Sequence, residues 1–389
     1  MPKIKITQIV KGIDIGGANG GSDKFAIDLS EQLIKDGYDV DFCVFYRMYT
    51  EAEQKWLNLL REKGVEPYFS TNWSPKNKYI GFIQGTKNLL IHLKKTNPSI
   101  IHSHCHLGAY VSMIYKMQAK NALILRTAHN VREWGTGEKE EVKKQISNCL
   151  YANKLDLEVG VSEAVVNQLK INHGNKTLKN PLKLIHNGMS LAGFERGNST
   201  GKRGTEKFVI GTVGRLTEQK GYKLLIDSMP GVLQQYPETK LVILGDGELR
   251  SELENRIQEL ELASHIELAG QVNNVQERLK EFDLFVSSSL WEGLPTVLME
   301  AMASGLPVIA TDIPGTKELI TNRWNGMLVQ PNNITELSNG LIELISNSVL
   351  REKIIENAFQ FVGQYSIDRI AEEYGTMYQF LLNEINNDW

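Results

Sequence analysis

Short apolar, β-branched runs alternate with stretches of helical periodicity along the whole chain. In the first half the runs fall at 3–10, 39–46, 100–105, 123–129, 157–161 and 183–186. In the second half they fall at 208–213, 240–244, 265–269, 284–287 and 308–311. Strands spaced by one helix each predict parallel sheets joined by right-handed crossovers. Two such series predict an α/β protein with two doubly wound, Rossmann-like domains. Between them runs a polar connector with Gly193, Gly197, Gly201 and Gly204 among Asn198, Ser199, Thr200, Lys202 and Arg203, a composition suited to a hinge. The expected division is 1–190 for the first domain, 191–206 for the hinge and 207–366 for the second domain. In the remaining 367–389, Ile367, Ile370, Ala371, Tyr374, Met377, Tyr378, Leu381 and Leu382 recur at i, i+3, i+4 spacing, which predicts one amphipathic helix.

The 389 residues exceed one ordinary hydrophobic core, and 41% hydrophobic with 23% charged residues describes a soluble globular protein. No run approaches the roughly 18 to 20 apolar residues of a membrane span. Residues 1–6 open a strand without a signal-peptide block, so the cytoplasm is the expected compartment. Cys43, Cys105 and Cys149 are too widely spaced for a disulfide framework or a C-x-x-C pair and are expected as buried thiols. Charge is more informative. The net charge of -3 conceals 26 Lys and Arg against 18 Asp and Glu in residues 1–189, and 17 against 28 in the remainder. The first half is expected to seek anions, although scatter over solvated helices would give the same counts.

Ligands of open parallel sheets bind beyond the carboxyl ends of the strands, so the loops there carry the candidate chemistry. After the run at 284–287 the chain reads Ser288, Ser289, Leu290, Trp291, Glu292, Gly293, Leu294, Pro295, Thr296, Val297, Leu298, Met299, Glu300. Pro295 is expected at the first helical position, and Leu294 before it offers no side-chain cap, which leaves the first N–H groups available to a ligand. Glu292 would lie just ahead of this helix and Glu300 on its second turn, about 7 to 8 Å further along at 1.5 Å per residue. Such acids flank a ligand instead of sharing a proton; two solvated acids on a surface helix would show the same spacing.

Further along the same reasoning, 211–221 places Arg215 and Lys220 among Gly211, Gly214 and Gly221 at a strand end. A planar guanidinium and a compact ammonium suit a diphosphate, and a basic surface turn is the plainer alternative. The first strand leads into 12–23, which holds Gly12, Gly16, Gly17, Gly20 and Gly21 ahead of a helix. Glycines there admit close backbone approach and a helix start favours an anion, but the spacing is not G-x-G-x-x-G and a flexible turn would look alike. His102, His104 and His106 would share one face of a continued strand, and His129 ends the next one. A metal on the three imidazoles lacks evident carboxylate ligands and supporting partners; a satisfied buried histidine is the alternative for His129. Asp39-Val40-Asp41 is a D-x-D string, yet it starts a strand, on the edge away from the ligand side.

In combination these segments resemble the retaining glycosyltransferases of GT-B fold, in particular the large family four, the group 1 type. Glu292 and Glu300 match its E-x7-E signature, and 214–221 its G-R-x-x-x-x-K-G motif. Gly245-Asp246-Gly247 looks like the strand-ending G-x-G, and 268–272 like the loop that holds the base near Val272. Gly20 and Gly21 match the opening glycine pair, His102 and His104 the H-x-H strand end, and His129 the histidine beside the donor sugar. Val161-Ser162-Glu163 and His186-Asn187-Gly188 match recurrent first-domain motifs. The chain departs at Met189-Ser190, where an apolar residue followed by Asp is usual, which weakens inference about that loop alone.

The resemblance spans essentially the whole chain and implies two Rossmann-like domains facing a cleft. It also implies that the helix within 367–389 crosses back onto the first domain, while a helix packed only on the second would fit the same periodicity. The implied reaction transfers a hexose, glucose from UDP-glucose by preference, from a nucleotide diphosphate sugar to a hydroxyl of a glycan or lipid-linked sugar. Retention of configuration and a setting in polysaccharide or glycolipid biosynthesis belong to the same implication. Arg215 and Lys220 would stabilise the departing diphosphate, Glu292 support the sugar, Glu300 bind the ribose and His129 meet sugar or acceptor. Gly293, Leu294, Thr296 and Val297 would line the nucleotide sugar. No cofactor, metal or nucleic acid is implied. The basic first half adds an expected peripheral contact with anionic lipid on the cytoplasmic membrane face. Two rivals stay open, a sugar-nucleotide epimerase of the same fold and a non-enzymatic two-domain sugar-binding protein.

Overall fold

A computed structural model describes residues 3–14, 20–119, 122–134, 137–174, 181–194, 207–272 and 274–387. Contacts divide the chain into two compact units, Met1–Ser190 with Ile367–Trp389, and Leu191–Ser366. Most of the expected hinge, 195–206, lies outside the described residues.

The first unit holds β1 Lys5–Val10, β2 Asp39–Arg47, β3 Tyr68–Asn72, β4 Ile100–Ser103, β5 Leu123–Ala128, β6 Leu157–Gly160 and β7 Leu182–Leu184. They form one parallel sheet in the order β3-β2-β1-β4-β5-β6-β7. Its helices are α1 Gly21–Lys35, α2 Glu51–Glu62, α3 Lys78–Thr96, α4 His106–Lys116, α5 Glu138–Lys154 and α6 Glu163–Asn172. The second unit holds β8 Val209–Val213, β9 Lys240–Leu244, β10 Ile266–Gly270, β11 Leu284–Ser287, β12 Val308–Thr311 and β13 Met327–Val329, in the order β10-β9-β8-β11-β12-β13. Its helices are α7 Tyr222–Gln235, α8 Arg250–Glu259, α9 Val275–Leu279, α10 Thr296–Ala303, α11 Pro314–Lys317, α12 Ile334–Ser346 and α13 Ser348–Val362, and α14 Ile367–Asn387 closes the chain. Each sheet starts at its centre, grows to one edge and then crosses to build the other, the doubly wound arrangement. The winding reverses between β1 and β4 in the first unit and between β8 and β11 in the second.

Two strands that the apolar runs do not predict, β3 and β13, lie at sheet edges. An edge strand pairs on one side only and needs no long buried run: β3 reads Tyr-Phe-Ser-Thr-Asn and β13 has three residues. Elsewhere alternation along the strands distributes apolar side chains to both faces. Ile6, Ile100, Leu125 and Val159 pack with Phe25, Leu29 and Leu33 of α1 and with Ile370, Tyr374 and Tyr378 of α14. Ile9, Phe45, Ile101 and Ile124 pack instead with Leu89 and Leu93 of α3, Met113 of α4 and Tyr151 of α5. Thus α1 and α14 cover one face and α3, α4 and α5 the other. The Met189 carbonyl accepts from Ile367 N–H at 2.9 Å, so the loop that departs from the family pattern anchors the start of α14.

Among the described residues no helix is long and apolar enough to cross a membrane. Cys43 is buried on β2, but Cys105 is half-buried and Cys149 exposed on the outer side of α5, which corrects the expectation of three buried thiols. Removing most of the buried Ile370 side chain should open a cavity in the first core, so Ile370→Ala is expected to lower stability by ~2 to 5 kcal/mol. Phe380→Ala, on the exposed side of the same helix, should stay within ~0.5 kcal/mol. Urea unfolding followed by tryptophan fluorescence compares the two, and equal effects would contradict the packing of α14 described above.

Candidate functional site

Close backbone approach builds the site of the second unit. Gly221 ends a 3-10 turn over Glu218–Lys220 with φ +60°, and a Cβ there would lie 2.2 Å from the Ser288 carbonyl oxygen. The contact allows Leu290 N–H to donate to the Gln219 carbonyl at 2.7 Å and Ser288 Oγ to the Lys220 carbonyl at 2.8 Å. The loop after β8 is thereby fastened to the loop after β11, at the point where the winding reverses. After β12, Thr311 Oγ1 donates to the Ser289 carbonyl, and a Cβ on Gly315 would lie 2.6 Å from the Gly293 carbonyl oxygen. Three strand-end loops therefore meet around residues 288–293.

This fastening places a carboxylate among donors. Lys220 Nζ donates to Glu292 Oε1 at 2.6 Å, and Ser289 Oγ donates to the same oxygen at 2.8 Å. Gln219 Nε2 donates to Glu292 Oε2 and to the Trp291 carbonyl, both at 3.0 Å. Glu292 is 7% exposed, so a buried charge is matched by a cation and two neutral donors. Arg215 is exposed, and its guanidinium makes no hydrogen bond or ion pair to a described residue. Val272 is half-buried in the loop after β10.

Pro295 is the N-cap of α10 and not its first helical residue, because its ψ of 99° is extended; Thr296 starts the helix. No side chain caps that first turn. Gly293 and Leu294 are buried and Thr296 and Val297 half-buried, while Glu300 is buried on α10 with its carbonyl accepting from Ser304 Oγ at 2.9 Å. In the first unit, Gly20 is the N-cap of α1 and Gly21 its first residue, without a side-chain cap. Residues 15–19 of the glycine-rich loop lie outside the described residues. Burial pushes the Asp23 carboxyl up to about 7, opposed by the Gly20 backbone and by Lys11.

The histidines of the first unit separate into two groups. His102 is fully buried between the Tyr378 and Thr127 hydroxyls, each at 2.7 Å from one of its nitrogens. His104 Nδ1 meets His129 Nε2 at 3.1 Å and its Nε2 meets Gln8 Oε1 at 2.8 Å, with Phe25 edge-on to both rings. His106 instead begins α4, where it bonds the Tyr151 hydroxyl at 2.6 Å and packs on Trp134. The three imidazoles therefore do not share one strand face: β4 stops at Ser103 and the helix turns His106 away. Burial pushes His102 down to about 3, aided by His129; burial and then the Arg126 guanidinium push His129 to about 3, with Asn187 opposing. Both rings are neutral at pH 7.

In the D-x-D string, Asp39 lies 3.9 Å from Lys5 Nζ, and Asp41 bonds His92 Nε2 at 2.9 Å and accepts from Thr7 Oγ1 at 3.1 Å. With the buried Cys43, Asp41 and His92 form a cluster of possible ligands near the start of β2, away from the strand ends. Burial, with Asp41 adding, raises the Cys43 thiol well above its ordinary value.

Residues 197–361 match the family described as Glycosyl transferases group 1, and residues 19–192 match Glycosyltransferase Family 4. An uncharacterised glycosyltransferase of Methanocaldococcus jannaschii is 27% identical over 384 residues, covering 87% of this chain and 91% of that one. The Escherichia coli UDP-Gal:alpha-D-GlcNAc-diphosphoundecaprenol alpha-1,3-galactosyltransferase is 28% identical over 312 residues, covering 72% of this chain and 76% of that one. The structure of Anabaena HepE in complex with UDP and glucose matches with a TM-score of 0.80 at 20% identity, over 97% of this chain and 99% of that chain. The chain is a group 1 glycosyltransferase of GT-B fold.

Some residues of this glycosyltransferase that the sequence does not single out hold the ones it does. Gln219 and Ser289 are neutral donors whose only signal is adjacency to Lys220 and to the Glu292 loop. Behind His129, Arg126 is 2% exposed and pairs with both Glu133 and Glu158, and Glu158 also bonds His173 Nε2 at 2.8 Å. Nothing in their spacing announces this buried network.

His102 supplies a pH test. In the unfolded chain the ring takes a proton near pH 6.5, whereas in the folded glycosyltransferase it does so only near pH 3. The unfolded state therefore binds more protons between these values, and stability present above pH 6.5 is lost as pH falls toward 3. At pH 5 the loss from this one group is on the order of 2 kcal/mol. The unfolding midpoint should drop between pH 7 and 5, and His102→Gln should flatten that drop; identical slopes for the two proteins would refute the assignment.

Proposed function

We propose that this glycosyltransferase moves a hexose, glucose from UDP-glucose by preference, to a hydroxyl of a glycan or a lipid-linked sugar with retention of configuration. The observation that carries the reading is the pairing of half-buried Lys220 with buried Glu292, with exposed Arg215 on the same strand-end loop as Lys220, at the winding reversal of the second sheet. UDP in particular is supported by two similar proteins, the galactosyltransferase whose donor is UDP-Gal and HepE in complex with UDP and glucose. Retention is supported by the alpha linkage in the former's name, since an alpha-configured donor must then keep its configuration.

In this reaction the acceptor oxygen bonds to the anomeric carbon as the bond from that carbon to the diphosphate breaks. The electron pair leaves with the nucleoside diphosphate, whose departing oxygen takes the proton that the acceptor hydroxyl gives up. Arg215, Lys220 and the uncapped first turn of α10 would stabilise the negative charge that develops on the leaving group. Glu292 would support the sugar, Glu300 the ribose hydroxyls, and Val272 the base. Gly293, Leu294, Thr296 and Val297 would line the nucleotide sugar. Gly20, Gly21 and His129 would serve the first unit's share, with acceptor binding assigned there. The setting is polysaccharide or glycolipid assembly, in the cytoplasm with peripheral contact to an anionic membrane. No cofactor takes part.

Arg215→Ala and Lys220→Ala should each weaken UDP binding by ~1.5 to 3 kcal/mol in calorimetry, the scale of hydrogen bonds to charged groups. Glu300→Ala should weaken UDP as well as donor, whereas Glu292→Gln should spare UDP and impair transfer. Unchanged UDP affinity in both cation variants would remove the diphosphate site, and hydrolysis assays with UDP-, GDP- and ADP-glucose would test the base.

Protein cations and helix amides also suffice to balance a diphosphate, so transfer should persist in excess EDTA. Loss of transfer in EDTA, restored by magnesium or manganese, would overturn this metal-independent reading.

A further inference from the structure

α3, α4 and α5 cover one face of the first sheet, and their outer sides are apolar as well as their inner ones. Of sixteen large hydrophobic side chains exposed among the described residues, nine belong to these helices or to Met117, the C-cap of α4. More than half of the exposed large apolar side chains are thus gathered on one side of one unit, where scattered single residues would need no explanation. On α3, Tyr79, Ile80 and Ile83 are 87%, 63% and 67% exposed; on α5, Val142 and Ile146 are 55% and 57% exposed. The two stripes are neighbours. Tyr79 is within electrostatic reach of Lys143 on α5, and Tyr110 of α4 hydrogen-bonds Ser147 of α5.

α3 buries one stripe, Gly85, Leu89 and Leu93, and exposes a second one surrounded by Lys78, Lys87, Lys94 and Lys95, all exposed. No acid lies on this helix. Just ahead of it stand exposed Lys76 and the ring of Trp73, with the Lys78 ammonium 5.9 Å from the ring centre. The acids of α5 sit in its first turn, where Glu140 and Glu141 pair with Lys143 and Lys144. Exposed isoleucines among lysines, with Tyr and Trp at the margin, match a helix lying in a bilayer interface. The acyl boundary takes the apolar stripe and anionic headgroups take the ammonium groups. A helix with four lysines and no acid favours a uniformly anionic surface over a second copy of itself.

We propose that the outer face of α3 and α5 docks on a membrane surface containing anionic phospholipid. The docking does not depend on any role assigned to the transfer site, and it is read without donor or acceptor. Each lysine at such a surface contributes about fivefold in partitioning, falling off over a Debye length of ~8 to 10 Å.

Co-sedimentation of the full chain with phosphatidylcholine vesicles, with and without phosphatidylglycerol, tests the proposal. The protein should bind the phosphatidylglycerol vesicles, release them as salt is raised, and bind pure phosphatidylcholine at least about tenfold less. Lys87→Glu with Lys94→Glu should lower binding by roughly 25-fold or more, two factors of five. Ile80→Glu with Ile83→Glu, and separately Val142→Glu with Ile146→Glu, should each lower it about tenfold or more; all six positions are exposed, and unchanged thermal midpoints verify folding. Equal binding to both vesicle types, wild-type binding by all three variants, or a dimer in light scattering that the isoleucine variant dissolves would each overturn it.

Discussion

A side chain at position 221 would collide with the Ser288 carbonyl, and the chemistry of the second unit depends on that contact being possible. Gly221 adopts a left-handed conformation that lets two loops far apart in sequence share a backbone hydrogen bond, from Leu290 N–H to the Gln219 carbonyl. Only then do Gln219 and Lys220 reach the carboxylate of Glu292. A larger residue would push the turn outward and leave a buried charge short of its cation, a loss on the scale of ~3 to 5 kcal/mol. Backbone permissiveness at one residue therefore sets the electrostatics of another 71 positions away.

That arrangement alters the charge balance a bare reading of the motifs suggests. Arg215 and Lys220 count as two cations in sequence, but Glu292 already takes the ammonium of Lys220. In the proposed transfer Lys220 must share itself between the carboxylate and the leaving diphosphate. Arg215, exposed and without such a partner among the described residues, and the first amides of α10 carry the larger share. In that proposal Lys220 would act as much by fixing Glu292 as by meeting phosphate.

The doubly wound pattern was legible because strands buried on both faces are continuous apolar runs, and the runs at 240–244, 284–287 and 308–311 coincide with β9, β11 and β12. β3 and β13 escaped because edge strands need no such run. Pro295 misled by one position because its φ suits a helix start while its ψ, which sequence does not fix, is extended. Cys149 was expected inside because thiols commonly are, yet α5 turns that position outward. Strand-end loops could be located from order alone, but not the ion pair between residues 72 apart, which tertiary contact creates. Its neutral supporters, Gln219 and Ser289, carry no charge pattern to betray them.

The excess of basic residues in the first half likewise reads differently once it is distributed in space. At the ends of β4 and β5 stand His102, His104 and His129, rings that burial keeps neutral at pH 7, packed with tyrosine and phenylalanine. The guanidinium nearest to them, Arg126, is neutralised by Glu133 and Glu158. Those strand ends are therefore polar and nearly uncharged, an environment suited to hydroxyl groups and not to anions. Four exposed lysines stand instead on the outer side of α3, beside exposed isoleucines. What composition shows as one anion-seeking half is, in the folded unit, a neutral hydrogen-bonding floor and a separate cationic, apolar exterior.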